Sequence, residues 1–137
     1  MRWMVSTAYY KQQPGNFKLL KQKIENTYLL LNEHLGQQWY VWEHWTEYYY
    51  LAAIYFEQTG QAQDMAATEH KIPTTRLKAC QSLMKVGWEN DKEAVTLLKS
   101  LLDKLVEDFP LEQEEQQKGK LRLFIDQLRP KLDRLLQ

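Results

Sequence analysis

The stretch QWYVWEHWTEYYYLAAIYFEQ, residues 38–58, decides the fold. It holds nine of the chain's seventeen aromatic residues and three of its five tryptophans. No Gly or Pro interrupts the chain between Gly36 and Gly60, which leaves room for about six turns at roughly 3.6 residues per turn. The strict apolar–polar alternation of a half-buried strand is absent. Trp42, Trp45, Tyr49, Ala52 and Phe56 recur at spacings of three and four and share one helical face, which Val41, Tyr48 and Tyr55 widen. Glu43, Glu47 and Glu57 are expected on the other side. A helix this apolar around most of its girth packs on more than one side. Two uses of the rings stay open: filling a core, or forming an aromatic docking surface or a pocket for a flat ligand. Core filling is the leading reading, and the enrichment of interfaces in Trp and Tyr raises the second without deciding it.

Working outward, Phe17, Leu20, Ile24, Tyr28, Leu31 and Leu35 follow the same rhythm, so a helix is expected over 16–35, ended by Gly36. It would form an antiparallel hairpin with the aromatic helix. Residues 1–13 read as a short strand, a helical lead-in or a flexible end. Thr59-Gly60 closes the aromatic helix, and residues 61–70 read as a short helix ended by Lys71-Ile72-Pro73. Thr74 or Thr75 is then expected to cap a helix carrying Leu77, Cys80, Leu83 and Met84, stopped by Gly87.

The cleanest amphipathic pattern follows, with Ala94, Leu97, Leu98, Leu101, Leu102, Leu105, Val106 and Phe109 in core slots. Asn90 or Asp91 is its expected N-cap, and Pro110 its end. Residues 111–119, with their Glu/Gln cluster and Gly119, read as a linker or an exposed helical start. The last helix uses Leu121, Phe124, Ile125 and Leu128, and Pro130 either kinks it or opens a final turn with Leu132, Leu135 and Leu136. The expectation is an all-α, single-domain bundle of about five helices around the aromatic helix, with a repeat-like arrangement as a variant.

The 137 residues carry no formal net charge, with pI near 6.8, so no global field draws the chain to nucleic acid or membrane. Neutrality hides alternating blocks. Residues 1–24 hold five basic side chains and no acids, and residues 25–69 seven acids and no Lys or Arg. Residues 70–88 are basic, 89–115 acidic and 116–137 net basic. Opposite blocks either pair inside the fold or face partners. The aromatic helix would then suit a basic partner, and the 71–85 or 118–134 block an acidic one. A lone Cys80 excludes an intrachain disulfide and fits a reducing cytoplasm. The apolar run near Met1 is too short for a signal peptide, and none approaches the ~20 residues of a membrane span.

Catalytic chemistry finds no support. There is no Gly-rich phosphate loop, Walker pattern or nucleophile elbow. Glu33-His34, Glu43-His44 and Glu69-His70 lack the Glu-x-x-His spacing of di-iron bundles, and His44-x-x-Glu47 is the reverse order. No cofactor and no metal are expected.

Two segments carry resemblances. In QDMAATEHKIPTTRLKAC, residues 63–80, the positions of Gln63, Ala67, Ile72, Leu77 and Cys80 resemble a helix-turn-helix DNA-binding unit. That resemblance implies that Thr74, Thr75 and Arg76 open a recognition helix, with Lys78 and Lys85 on phosphates. Lys71 stands in place of the usual turn glycine, and His70 in place of an apolar residue. The spacing Ala52-x3-Phe56-x3-Gly60-x6-Ala67 recurs as Ala79-x3-Leu83-x3-Gly87-x6-Ala94. It resembles tetratricopeptide helix pairs, with a period shorter than that family's 34 residues.

The leading expectation is a non-enzymatic helical interaction module: an adaptor, chaperone or small subunit. It would bind a protein partner, self-associate as a homo-oligomer, or both, through Trp39, Tyr40, Glu43, His44, Glu47 and Tyr50. The alternative is nucleic-acid binding through Thr74, Thr75, Arg76, Lys78 and Lys85 within 63–85, or a place as a helical subunit of a nucleoprotein complex.

Overall fold

The computed structural model describes residues 17–32 and 38–137, all of whose regular elements are helical. Expectations for residues 1–13 and for Gly36 as a helix cap lie outside the described residues. The helices are α1 (Phe17–Asn32), α2 (Trp39–Gln58), α3 (Ala62–Glu69), α4 (Lys71–Leu83), α5 (Lys92–Asp108) and α6 (Glu115–Leu135). Short 3-10 turns cover Trp88–Asn90 and Phe109–Leu111. Among the described residues, no helix is long and apolar enough to cross a membrane.

The aromatic stretch is one helix that packs on α1, α3 and α4. Its end is a Schellman motif: the Gly60 N–H donates to the Glu57 carbonyl at 3.2 Å and the Gln61 N–H to that of Phe56 at 2.8 Å. Gly60 sits at φ +74°, which only glycine adopts without strain. Gly87 turns the chain the same way at φ +84° after α4. These two glycines of the repeated spacing follow helices of unequal length, 20 and 13 residues.

Two helix boundaries differ from the sequence expectation. The chain does not break at Pro73, because α4 starts at Lys71 and Pro73 falls in the first turn, where a missing N–H leaves no intrahelical bond unmade. Thr74 and Thr75 are therefore not caps, and the Thr75 hydroxyl faces back toward the Ile72 carbonyl at 3.0 Å. α6 starts at Glu115 and takes in Gly119, so the expected 111–119 linker shrinks to the three residues between the 3-10 turn and α6. Pro130 lies inside α6, which continues to Leu135.

α5 keeps its sequence pattern. Asp91 caps it, accepting from the Glu93 and Ala94 backbone N–H groups at 3.1 and 3.3 Å. Leu98, Leu101, Leu102 and Leu105 are buried, together with Val95 and Asp108, which the pattern did not include. They join Ala79, Cys80 and Trp88 with Leu121, Ile125, Leu128 and Leu132 of α6 in the main core. A smaller core of Leu20, Leu51 and Ile54 joins α1 to α2.

Leu102 is fully buried, whereas Leu123 is 59% exposed. Leu102→Ala is expected to cost about 2–5 kcal/mol in urea unfolding, and Leu123→Ala less than about 0.5 kcal/mol.

Candidate functional site

α2 and α4 run antiparallel, and their contacts descend in step. Lys78 Nζ lies 4.7 Å from the Trp42 ring centroid, Arg76 pairs with Glu43, the Thr46 and Thr75 hydroxyls meet at 2.9 Å, and Lys71 Nζ lies 5.4 Å from the Tyr49 ring. Arg76 is fully buried in the middle of this seam. One guanidinium nitrogen donates to both Glu43 oxygens, at 3.0 and 2.8 Å, while Nε donates to Asp108 Oδ2 on α5 at 3.1 Å. The Tyr50 hydroxyl donates to the other Asp108 oxygen. Burial pushes the Glu43 carboxyl above its ordinary range, against the pull of Arg76 and Lys104. Burial also opposes the charge on Arg76, but Glu43, Asp108 and Tyr50 outweigh it and hold the guanidinium protonated. Burial and then Asp108 push the Tyr50 phenol far up, so it stays a donor. Cys80 is buried beside this cluster, its thiol pushed up to about 12 mainly by desolvation, which makes it inert packing.

This cluster relocates most of the residues singled out from sequence. Glu43 and Glu47, expected to face outward, are buried. Glu43 is taken by Arg76, and Glu47 lies 3.7 Å from His44 Nδ1 and 4.0 Å from Lys23 Nζ. Tyr50 points inward to Asp108. Thr75 and Arg76 are buried, so they do not present a recognition surface. His70 alone, at right-handed helical φ/ψ, separates α3 from α4, which is less than the turn of a helix-turn-helix unit. Tyr40 is exposed, Trp39 and His44 are half-buried, Thr74 is half-buried, and Lys78 and Lys85 are exposed.

None of the nine rings of α2 is buried. The helix seals Val41, Leu51, Ala52, Ala53 and Ile54 with Thr46 and the two glutamates and, apart from Tyr50 against Asp108, leaves its rings at the rim. On the α1 side five of the nine rings wall an open cleft of about 600 Å³. Trp45 and Tyr49 stack at 6.0 Å, with Tyr48 edge-on to Trp45 at 5.6 Å and Tyr28 of α1 edge-on to Trp45 at 6.3 Å. Tyr55, Phe56 and Ile24 extend the wall, and Lys21, Glu25 and Lys71 supply its charges. A second hollow of about 400 Å³ shares Ile24, Glu25, Tyr28 and Tyr48 and reaches Leu29. Leu29 is 61% exposed, and Tyr28 and Leu30 beside it are exposed too. Burial pushes the Tyr48 and Tyr49 phenols up, so at neutral pH both offer O–H donors.

The arrangement suits apolar contact. Rings of low conformational entropy surround a volume within the usual ligand-pocket range of about 300–1,000 Å³, with a few polar tips to orient what enters. Trp45, Tyr48, Tyr49 and Phe56 were legible as one helical face, but Tyr28 and the lysines Lys21 and Lys71 had no signal tying them to it. Comparison with protein-family models, curated proteins and solved structures finds no match for this chain.

Arg76→Ala, which strands two buried carboxylates, is expected to cost about 3–5 kcal/mol. Replacing the whole cluster (Arg76→Met, Glu43→Leu, Asp108→Leu and Tyr50→Phe) should recover most of that loss. Urea unfolding of the two variants against the parent checks both.

Proposed function

We propose that this chain is a non-enzymatic interaction module that receives an amphipathic segment of a protein partner in the cleft between α1 and α2. The observation that carries the reading is the aromatic cleft itself, walled by half-exposed rings and continuing into exposed apolar side chains on α1. Contiguous exposed apolar surface of this kind marks contact sites, and Trp and Tyr are the residues that anchor them. The lining offers rings and separated charges rather than a nucleophile beside a base.

Charge narrows the partner. Lys21 and Lys71 flank the cleft, and Lys71, Lys78 and Lys85 follow one another at sevens, all exposed. The acids of α2 that the sequence offered to a basic partner are largely spent inside, on Arg76 and beside His44 and Lys23. The fitting occupant is an acidic segment with apolar anchors, the rings supplying affinity and the lysines orientation and encounter rate.

The same lysine row, lying over Trp42 and Tyr49, supports a second reading: nucleic-acid binding through phosphates and stacked bases rather than through a recognition helix.

Affinity capture from a native extract tests the first reading with a paired design. A protein held by the parent chain is expected to be lost with Trp45→Ala and with Lys71→Glu, and kept with Arg122→Ala on the exposed face of α6. A partner set unmoved by both cleft variants, with circular dichroism showing each still folded, would count against the cleft. Salt-sensitive binding to duplex DNA or RNA, abolished by Lys78→Glu and Lys85→Glu, would favour the second reading instead.

A further inference from the structure

Where α3 meets α4, His70 comes against the segment between α5 and α6. The Glu112 side chain is fully buried, an unusual fate for a carboxylate that pairs with no Lys or Arg among the described residues. Its Oε1 accepts the Glu114 backbone N–H at 3.1 Å and lies 3.0 Å from His70 Nδ1. Its Oε2 is buried without a hydrogen-bond partner among the described residues. His70 Nδ1 is likewise buried and makes no hydrogen bond of acceptable geometry, despite its short approach to Oε1. Nδ1 and Oε1 thus meet without a well-formed hydrogen bond, with a further bare oxygen beside them. Such a group costs several kcal/mol or more when left uncompensated, so the site calls for a positive species. One ligand atom from each of His70, Glu112 and Glu114 lies within 4.8 Å of the other two.

We propose that His70, Glu112 and Glu114 bind a divalent first-row transition ion of the zinc type. One imidazole with two carboxylates suits zinc and its neighbours, whereas calcium and magnesium favour all-oxygen shells. Bonds of about 2.0–2.2 Å to a tetrahedral ion place its ligands about 3.3 Å apart. The 3.0 Å between Nδ1 and Oε1 is already close to that spacing. Glu114 is exposed, just ahead of α6, and closes the remaining distance by rotating its own side chain. His70 is fixed by the helical backbone it bridges, and Glu112 by burial and by the Glu114 N–H. Three protein ligands leave a coordination position to water. The bound ion would clip the α3–α4 junction to the entrance of α6, two places 42 residues apart in sequence.

The test uses the full chain without a histidine tag, and Zn²⁺ and Co²⁺ alone as probes. Calorimetry is expected to show one equivalent of Zn²⁺ bound, a rise in melting temperature that EDTA reverses, and no competition from a large excess of Mg²⁺. Co²⁺ should give visible absorption bands. His70→Gln and Glu114→Gln alter exposed or half-exposed side chains and preserve folding. Each is expected to weaken Zn²⁺ by at least about tenfold and to abolish the Co²⁺ bands. Absence of any metal-dependent change in the parent would leave the His70–Glu112 contact to a proton and overturn the proposal. Binding that survives both variants would place the metal elsewhere and overturn it as well.

Discussion

The buried guanidinium of Arg76 is the constraint on which the arrangement of α2, α4 and α5 depends. It is held by Glu43 from one helix and Asp108 from another, with the Tyr50 hydroxyl closing the Asp108 side. Removing such charges from water costs several kcal/mol per ion, and their mutual attraction returns that only when geometry is good. The planar fork of arginine supplies the geometry. Sliding α4 by one turn, about 5.4 Å, would strand three buried charges at once. The cluster is therefore weak as a source of net stability and strong as a choice of register. Lys78 over Trp42 and Lys71 over Tyr49 repeat the same register at the two ends of the seam.

That choice explains why the rings of α2 lie where they do. Small and aliphatic residues fill the places where α2 meets its neighbours: Ala52, Ala53, Leu51, Ile54 and Val41 are all buried. Thr46 and Ala53 let backbones approach closely, which an aromatic ring there would prevent. The rings are displaced to the flanks, where Trp and Tyr can keep their polar tips in water while burying part of their faces. An aromatic-rich helix with an ionic seam on one side acquires aromatic walls on the other.

All-helical architecture was legible because it rests on local signals: the 3–4 rhythm of α5, its Asp91 cap, and glycines at Gly60 and Gly87. The face formed by Trp45, Tyr49, Ala52 and Phe56 was legible for the same reason. Whether that face is covered was not, since covering depends on distant partners such as Tyr28 and Lys71. Glu43 and Arg76 illustrate the limit more sharply. Each is a charged residue on an amphipathic helix, and periodicity assigns such residues to water. Only their meeting, 33 residues apart in sequence, turns two solvated charges into a buried pair. The opposite charge blocks did announce that acidic and basic helices could adjoin, and Glu43–Arg76 and Lys131–Glu89 join such blocks. They could not say which members would be sealed. The His70–Glu112 contact is of the same kind: Glu69-His70 carries no metal spacing by itself, and Glu112 lies 42 residues further along the chain.

The two cores divide the labour between rigidity and access. α5 and α6 share a leucine-rich interior with α4, built from side chains each worth roughly 1.5–3 kcal/mol on burial. Among the described residues, α1 is joined to α2 through a smaller apolar core, Leu20 against Leu51 and Ile54 with Ile24 and Tyr55 at the edge, and through Tyr28 against Trp45 and Tyr48. The cleft opens along this border. A shift in α5 would disrupt the main core and Asp108 with it, whereas the α1 side of the cleft is walled by Tyr28 and Ile24, neither of them fully buried. Segments that must adjust to a ligand are drawn from the part of a fold where local opening is cheap. Under the proposed reading, the wall set by the ionic seam would keep the aromatic anchors at fixed spacing along α2 while the α1 side, with its smaller core, adjusts to the girth of a partner.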